Sequence, residues 1–82
     1  MNKEQIFNVI KDVIIEVLGD EIDKSLITMD ISLKDLGANS IDRVDILLMS
    51  MERMNIKIKM MEFSNITNIN GIVELLFKKI NE

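Results

Sequence analysis

The chain has no cysteine, histidine, tyrosine, tryptophan or proline. Without Cys or His it has no thiolate nucleophile, no imidazole base, no zinc site built on those ligands and no disulfide framework. Any chemistry is left to hydroxyl, carboxylate and amine groups, or to an imported cofactor. Phe7, Phe63 and Phe77 are the only aromatic residues, and the formal net charge is −4. Nucleic-acid binding needs clustered cations and stacking rings, so none is expected. No segment approaches the roughly 20 uninterrupted apolar residues that cross a bilayer. Lys3, Glu4, Lys11 and Asp12 also break any signal-peptide core. A monomeric cytoplasmic protein with no membrane partner is expected. At 82 residues the chain has room for one domain and one core.

Three segments have helical periodicity. Ile6, Ile10, Val13, Ile14, Val17 and Leu18 recur at the spacing of one helix face, with Asn2 and Gln5 placed as a capping box and Gly19 as a stop. Asn39 is a strong N-cap residue with Asp42 at its third helical position, predicting a helix over 40–54. Ile69, Ile72, Val73, Leu76 and Ile80 define a last helix behind Thr67 or Asn68, with Lys78 and Lys79 at its C-terminal end and Gly71 as a tolerated helix glycine. Residues 20–38 have no period, yet they carry Ile22, Leu26, Ile27, Met29, Ile31, Leu33 and Leu36. They read as an ordered, anchored loop with one turn around Ser32–Leu36. Residues 55–60 alternate as a short strand would, but a lone strand has nothing to pair with, so an extended linker burying Ile56 and Ile58 is favoured. One helical turn is expected over 60–63. The fold class is all-α, a small four-helix bundle of three main helices plus one short helix, with a long ordered loop between the first two.

Among the five serines, Ser40 has a position with chemical meaning. It lies just inside the second helix, where free backbone N–H groups and the positive end of the helix dipole favour an anion carried on the side chain. On spacing alone, an ordinary first-turn serine is the commoner explanation. The second helix also has more apolar surface than one buried face requires. Leu47 and Met54 fall on one arc with Ile46 beside it, while Ile41, Val44, Leu48 and Met51 fall on another. If the second arc is exposed, Asp42, Asp45 and Glu52 rim a docking strip that begins beside Ser40.

The run Leu36-Gly37-Ala38-Asn39-Ser40-Ile41-Asp42-Arg43-Val44-Asp45 resembles the Leu-Gly-x-Asp-Ser-Leu segment and following helix of acyl carrier proteins. The resemblance extends along essentially the whole chain, through Ile58 and the Ile66-Thr67-Asn68-Ile69 opening of the last helix, and implies one acyl carrier domain over residues 1–82. It implies that Ser40, with Asn39 beside it, is where a phosphopantetheinyl transferase attaches 4'-phosphopantetheine from coenzyme A. It further implies that Ile41, Asp42, Arg43, Val44, Asp45, Leu48, Met51 and Glu52 face partner enzymes. A carrier needs no base or nucleophile of its own, which accounts for the missing Cys and His. The protein is then not an enzyme but the bearer of acyl thioesters between enzymes.

Asn39 and Ile41 depart from the Asp and Leu usual in the family. Residues 1–39 hold eight acids and four bases, whereas residues 40–82 hold six of each, so the acidity is not on the second helix. Fatty-acid-synthesis carriers typically dock through a strongly acidic second helix. This chain, with Met49, Met51 and Met54, looks more like a discrete polyketide-pathway carrier that meets partners by apolar fit. The Ser-Ile-Asp-Arg-Val-Asp run resembles stand-alone carriers of β-branching cassettes, which hold an acetyl or malonyl unit. The implied partners are an acyltransferase and a ketosynthase or HMG-CoA-synthase-like enzyme. The alternative from another class is an unmodified helical adaptor docking through the same strip. A hydrolase using Ser40 lacks a base. Asp20, Glu21 and Asp23 lack the further ligands of a calcium loop, and Lys57 and Lys59 read as the wet side of a linker. Leu47, Ile58 and Ile66 would line an internal cavity or fill a solid core equally well.

Overall fold

Asn2 starts the first helix by a reciprocal cap. In the computed structural model, which describes residues 1–82, Asn2 Oδ1 accepts from the Gln5 amide at 2.8 Å and Gln5 Oε1 accepts from the Asn2 amide at 2.9 Å. Helix α1, Lys3–Leu18, ends where Gly19 takes φ 91°. Helix α2, Ser40–Met54, ends at Asn55, whose left-handed conformation (φ 54°) turns the chain back so that the Ile56 amide donates to the Met51 carbonyl. Helix α3, Ile69–Ile80, is capped by Asn68 rather than Thr67, through Asn68 Oδ1 and the Gly71 amide at 2.9 Å. Single 3-10 turns occupy Lys24–Leu26 and Met60–Phe63. No strand forms, and residues 55–59 are the extended linker expected, with Ile58 buried and Ile56 half-buried.

The apolar stripe of α1 explains the packing. Ile6, Ile10, Val13 and Ile14 are fully buried, and α1 makes the main helix-helix interfaces, one with α2 and one with α3. Burying each of these side chains contributes about 1.5–3 kcal/mol. From α2 come Ile46, Leu47 and Met51, and from α3 Ile69, Ile72, Val73 and Leu76. Lys3 ties the open end of α1 to α3, donating to Glu74 at 2.8 Å with its Nζ 5.2 Å from the centre of the Phe77 ring.

The segment between α1 and α2 is ordered, as its apolar content requires. Ile27, Leu33 and Ala38 are buried in the common core. The amides of Ile69 and Asn70 donate to the carbonyls of Ile31 and Met29, each at 2.9 Å. A helix N-terminus leaves its first amides without intrahelical acceptors. Here the loop supplies two of them. The turn expected around Ser32–Leu36 is present, with Ser32 Oγ accepting from the Asp35 amide at 3.0 Å and the Leu36 amide donating to the Ser32 carbonyl. The turn at Lys24–Leu26 was not anticipated. It is local chemistry: Asp23 Oδ1 accepts from both the hydroxyl and the amide of Ser25, at 2.6 and 3.0 Å.

Candidate functional site

Ser40 is the first residue of α2 and is exposed. Asn39 ahead of it is extended (φ −78°, ψ −178°), its Oδ1 accepting from the Asp42 amide at 2.8 Å while Asp42 Oδ2 accepts from the Asn39 amide at 3.2 Å. Gly37 reaches this corner at φ 96°, a region costly for other residues, and Ala38 plugs the core beneath it. The cap leaves the Ser40 and Ile41 amides without an acceptor in the chain. An exposed hydroxyl beside two free N–H groups and a helix dipole suits a phosphate ester, so the residues present fit a phosphopantetheine arm.

The sole side-chain partner of Ser40 Oγ is Arg43, whose Nη2 donates to it at 3.1 Å. A guanidinium cannot accept a proton at any ordinary pH. The hydroxyl therefore has no base beside it, and the geometry offers no means of activating it within the chain.

The strip along α2 divides as its spacing implies, with one correction. Ile41, Val44 and Leu48 are 73%, 43% and 47% exposed, with Asp45 and Glu52 exposed beside them. Asp42 is half-buried and engaged in the cap, so its carboxylate serves the helix before any partner. Met51, placed with the exposed arc by spacing, is only 5% exposed. It lies one turn beyond Leu47 on the same face. The chain reversal at Asn55 also brings Ile56 and Ile58 to line an open cleft of about 630 Å³ with Met51 and Leu48.

A second, open cleft of about 670 Å³ separates α2 from α3. Leu47 of α2, Ile72 of α3 and Leu33, Phe63 and Ile66 form its apolar wall, while Arg43 stands at its edge with Lys34, Asp30 and Asp35 of the loop. Leu47 and Ile66 thus line a cleft, whereas Ile58 belongs to the other one. The sequence reading missed the contribution of Asp30, Ser32, Lys34 and Asp35. The hydrogen bonds from α3 to the loop and the burial of Leu33 bring them opposite α2, and no periodicity announces that. The Arg43 to Ser40 bond had a signal, the i,i+3 spacing on one helix.

The phosphopantetheine attachment site family model matches residues 8–76. The polyketide biosynthesis acyl-carrier-protein AcpK of Bacillus subtilis is 38% identical over 98% of this chain and 96% of its own length. Acyl carrier proteins of Guillardia theta and Thermotoga maritima are 35% and 32% identical, covering 98% and 96% of both partners in each case. No solved structure matches the chain. The chain belongs to the acyl carrier protein family. It carries acyl groups on a phosphopantetheine arm, works with partner enzymes and is not itself a catalyst. No helix is long and apolar enough to cross a membrane.

Proposed function

We propose that Ser40 is the residue that bears the arm and that residues 1–82 act as one carrier domain for polyketide assembly. The observation that carries this reading is the exposed Ser40 hydroxyl at the first position of α2, beside two amides with no acceptor in the chain. In the loading step the Ser40 oxygen bonds to the β-phosphorus of coenzyme A. The phosphoanhydride bond breaks, adenosine 3',5'-bisphosphate leaves, and the serine proton passes to a base of the transferase. When bound, the arm supplies a terminal thiol that holds acyl groups as thioesters. The chain itself presents and orients: Asn39 fixes the helix start, and Ile41, Val44 and Leu48 offer an apolar docking strip flanked by Asp45 and Glu52.

The polyketide assignment draws on the name of the Bacillus subtilis relative and on the near-neutral, Met-rich character of α2. The partners proposed are a phosphopantetheinyl transferase, an acyltransferase and a ketosynthase or HMG-CoA-synthase-like enzyme of a β-branching cassette, met by a monomer in the cytoplasm. The deciding experiment is intact mass after incubation with coenzyme A and a broad-specificity transferase. A single phosphopantetheine addition is expected in the wild type and none in Ser40→Ala, with the melting temperature of the variant unchanged. Modification of Ser40→Ala would move the attachment point elsewhere.

A further inference from the structure

The two arginines of α2 are differently engaged. Arg53 pairs with Glu16 of α1, joining two helices. Arg43 takes part in none of the four ion pairs of the molecule, and its side-chain hydrogen bond goes to Ser40 Oγ alone. An unpaired cation on a protein that is acidic overall, held against the hydroxyl proposed to carry a phosphodiester, is an anion-binding group with its anion still to come. The nearest carboxylate along the helix, Asp42, is committed to the Asn39 amide, so it does not compete for the guanidinium. Arg43 also stands at the edge of the cleft between α2 and α3.

From this arrangement we infer that Arg43 is a positioning residue for the arm: its guanidinium holds the phosphodiester on Ser40 and sets the arm's root beside the α2/α3 cleft. The inference rests on Ser40 being the attachment point. Arginine suits the task because its planar fork can donate two parallel hydrogen bonds to phosphate oxygens, whereas lysine offers a point charge. The free Ser40 and Ile41 amides supply the remaining donors. Arg43 touches no reacting bond, but it lies on the face that meets partner enzymes, so its variants are loaded to completion with excess transferase and the rate of loading is not the readout.

The test uses the loaded protein and the phosphorus-31 resonance of its phosphodiester. In the wild type the resonance should shift on going from low salt to 0.5 M salt, where the screening length falls between the ~8 Å of physiological salt and the ~3 Å of 1 M salt. Arg43→Gln, loaded to one arm per chain, is compared with it. Its resonance should already sit near the high-salt wild-type position and respond little to salt, with a narrower line from a more mobile arm. Arg43→Lys should fall between the two, and Arg53→Gln should match the wild type. If Ser40 loads but the resonance and its salt response are the same in wild type and Arg43→Gln, the inference is overturned and the attachment reading stands. If the wild type does not load at Ser40, the attachment reading fails and takes this one with it.

Discussion

At Gly71, in the first turn of α3, helix propensity and packing pull in opposite directions. Replacing a helix glycine by alanine ordinarily gains up to about 1 kcal/mol. Here a β-carbon would lie 2.7 Å from Ile66 Cγ2, a methyl on a β-branched side chain that cannot swing aside freely. Overpacking of this kind costs about 1–3 kcal/mol, so Gly71→Ala should lower stability by about 1 kcal/mol and the melting temperature by about 4–8 °C. Ile66→Leu removes the obstructing methyl, and in that background Gly71→Ala should raise the melting temperature instead; a rise in the single variant would show that the clash is not real. The helix periodicity of the sequence places Gly71 inside α3 as a tolerated glycine, because nothing local reveals that Ile66, ahead of the helix, packs against it. The caps at Asn2 and Asn39, by contrast, were legible, since each is closed within three residues. Asp23 is a local case as well. The Ser25 hydroxyl, and then its amide, hold the Asp23 carboxyl below the ordinary aspartate range. A depressed carboxyl contributes its stabilisation above the unfolded-state value and loses it as pH falls through the folded one. The turn at Lys24–Leu26 should therefore persist through mild acid and loosen only in stronger acid, as an NMR titration of the Asp23 carboxyl would record.

Along α2, burial separates residues that spacing alone groups together. Leu48 and Met51 are adjacent on the helix surface, yet Leu48 is half exposed and Met51 is in the core. A carboxylate at position 48 stays in water, so Leu48→Glu should move the melting temperature by only about 2 °C, in keeping with the small cost of most surface changes. The same charge at position 51 would be buried without a partner, and Met51→Glu should cost at least about 3 kcal/mol. Transfer of acyl groups to a partner enzyme should fall in Leu48→Glu while its circular dichroism melt stays close to wild type. Equal melting losses in both variants would mean that the strip is not a free surface. The sequence shows that α2 has two apolar arcs, because the 3.6-residue period makes them visible. It does not show where the boundary falls, because that depends on Asn55 turning the chain so that Ile56 and Ile58 return beside Met51.

On the scale of the whole molecule, α1 is the common support and the segment 19–39 is the third wall of the core. Helices α2 and α3 each lean on α1, which leaves the cleft between them to be bounded by the loop. Helix periods made the three helices legible. The loop's apolar residues announced that it is ordered, but not what holds it, because its anchors are carbonyl groups that any residue has. Two of them, on Met29 and Ile31, accept from the first turn of α3, and Ile27 is driven into the core at 4% exposure. If loop and helices form one cooperative unit, truncating Ile27 should be felt far along the chain. Ile27→Ala should cost about 2–5 kcal/mol, a large part of the 5–15 kcal/mol that holds a small domain together, and should lower a single thermal transition rather than split it. Hydrogen exchange distinguishes the coupled case from a loop that frays independently. The amides of Ile69 and Asn70, though on α3, should lose protection in step with the loop, and those of α1 around Ile10 and Val13 should follow the global loss. Unchanged exchange at Ile69 and Asn70 in the variant would mean that the loop is laid over a finished bundle. The cleft that Arg43 lines would then be bounded by a movable cover instead of a fixed wall.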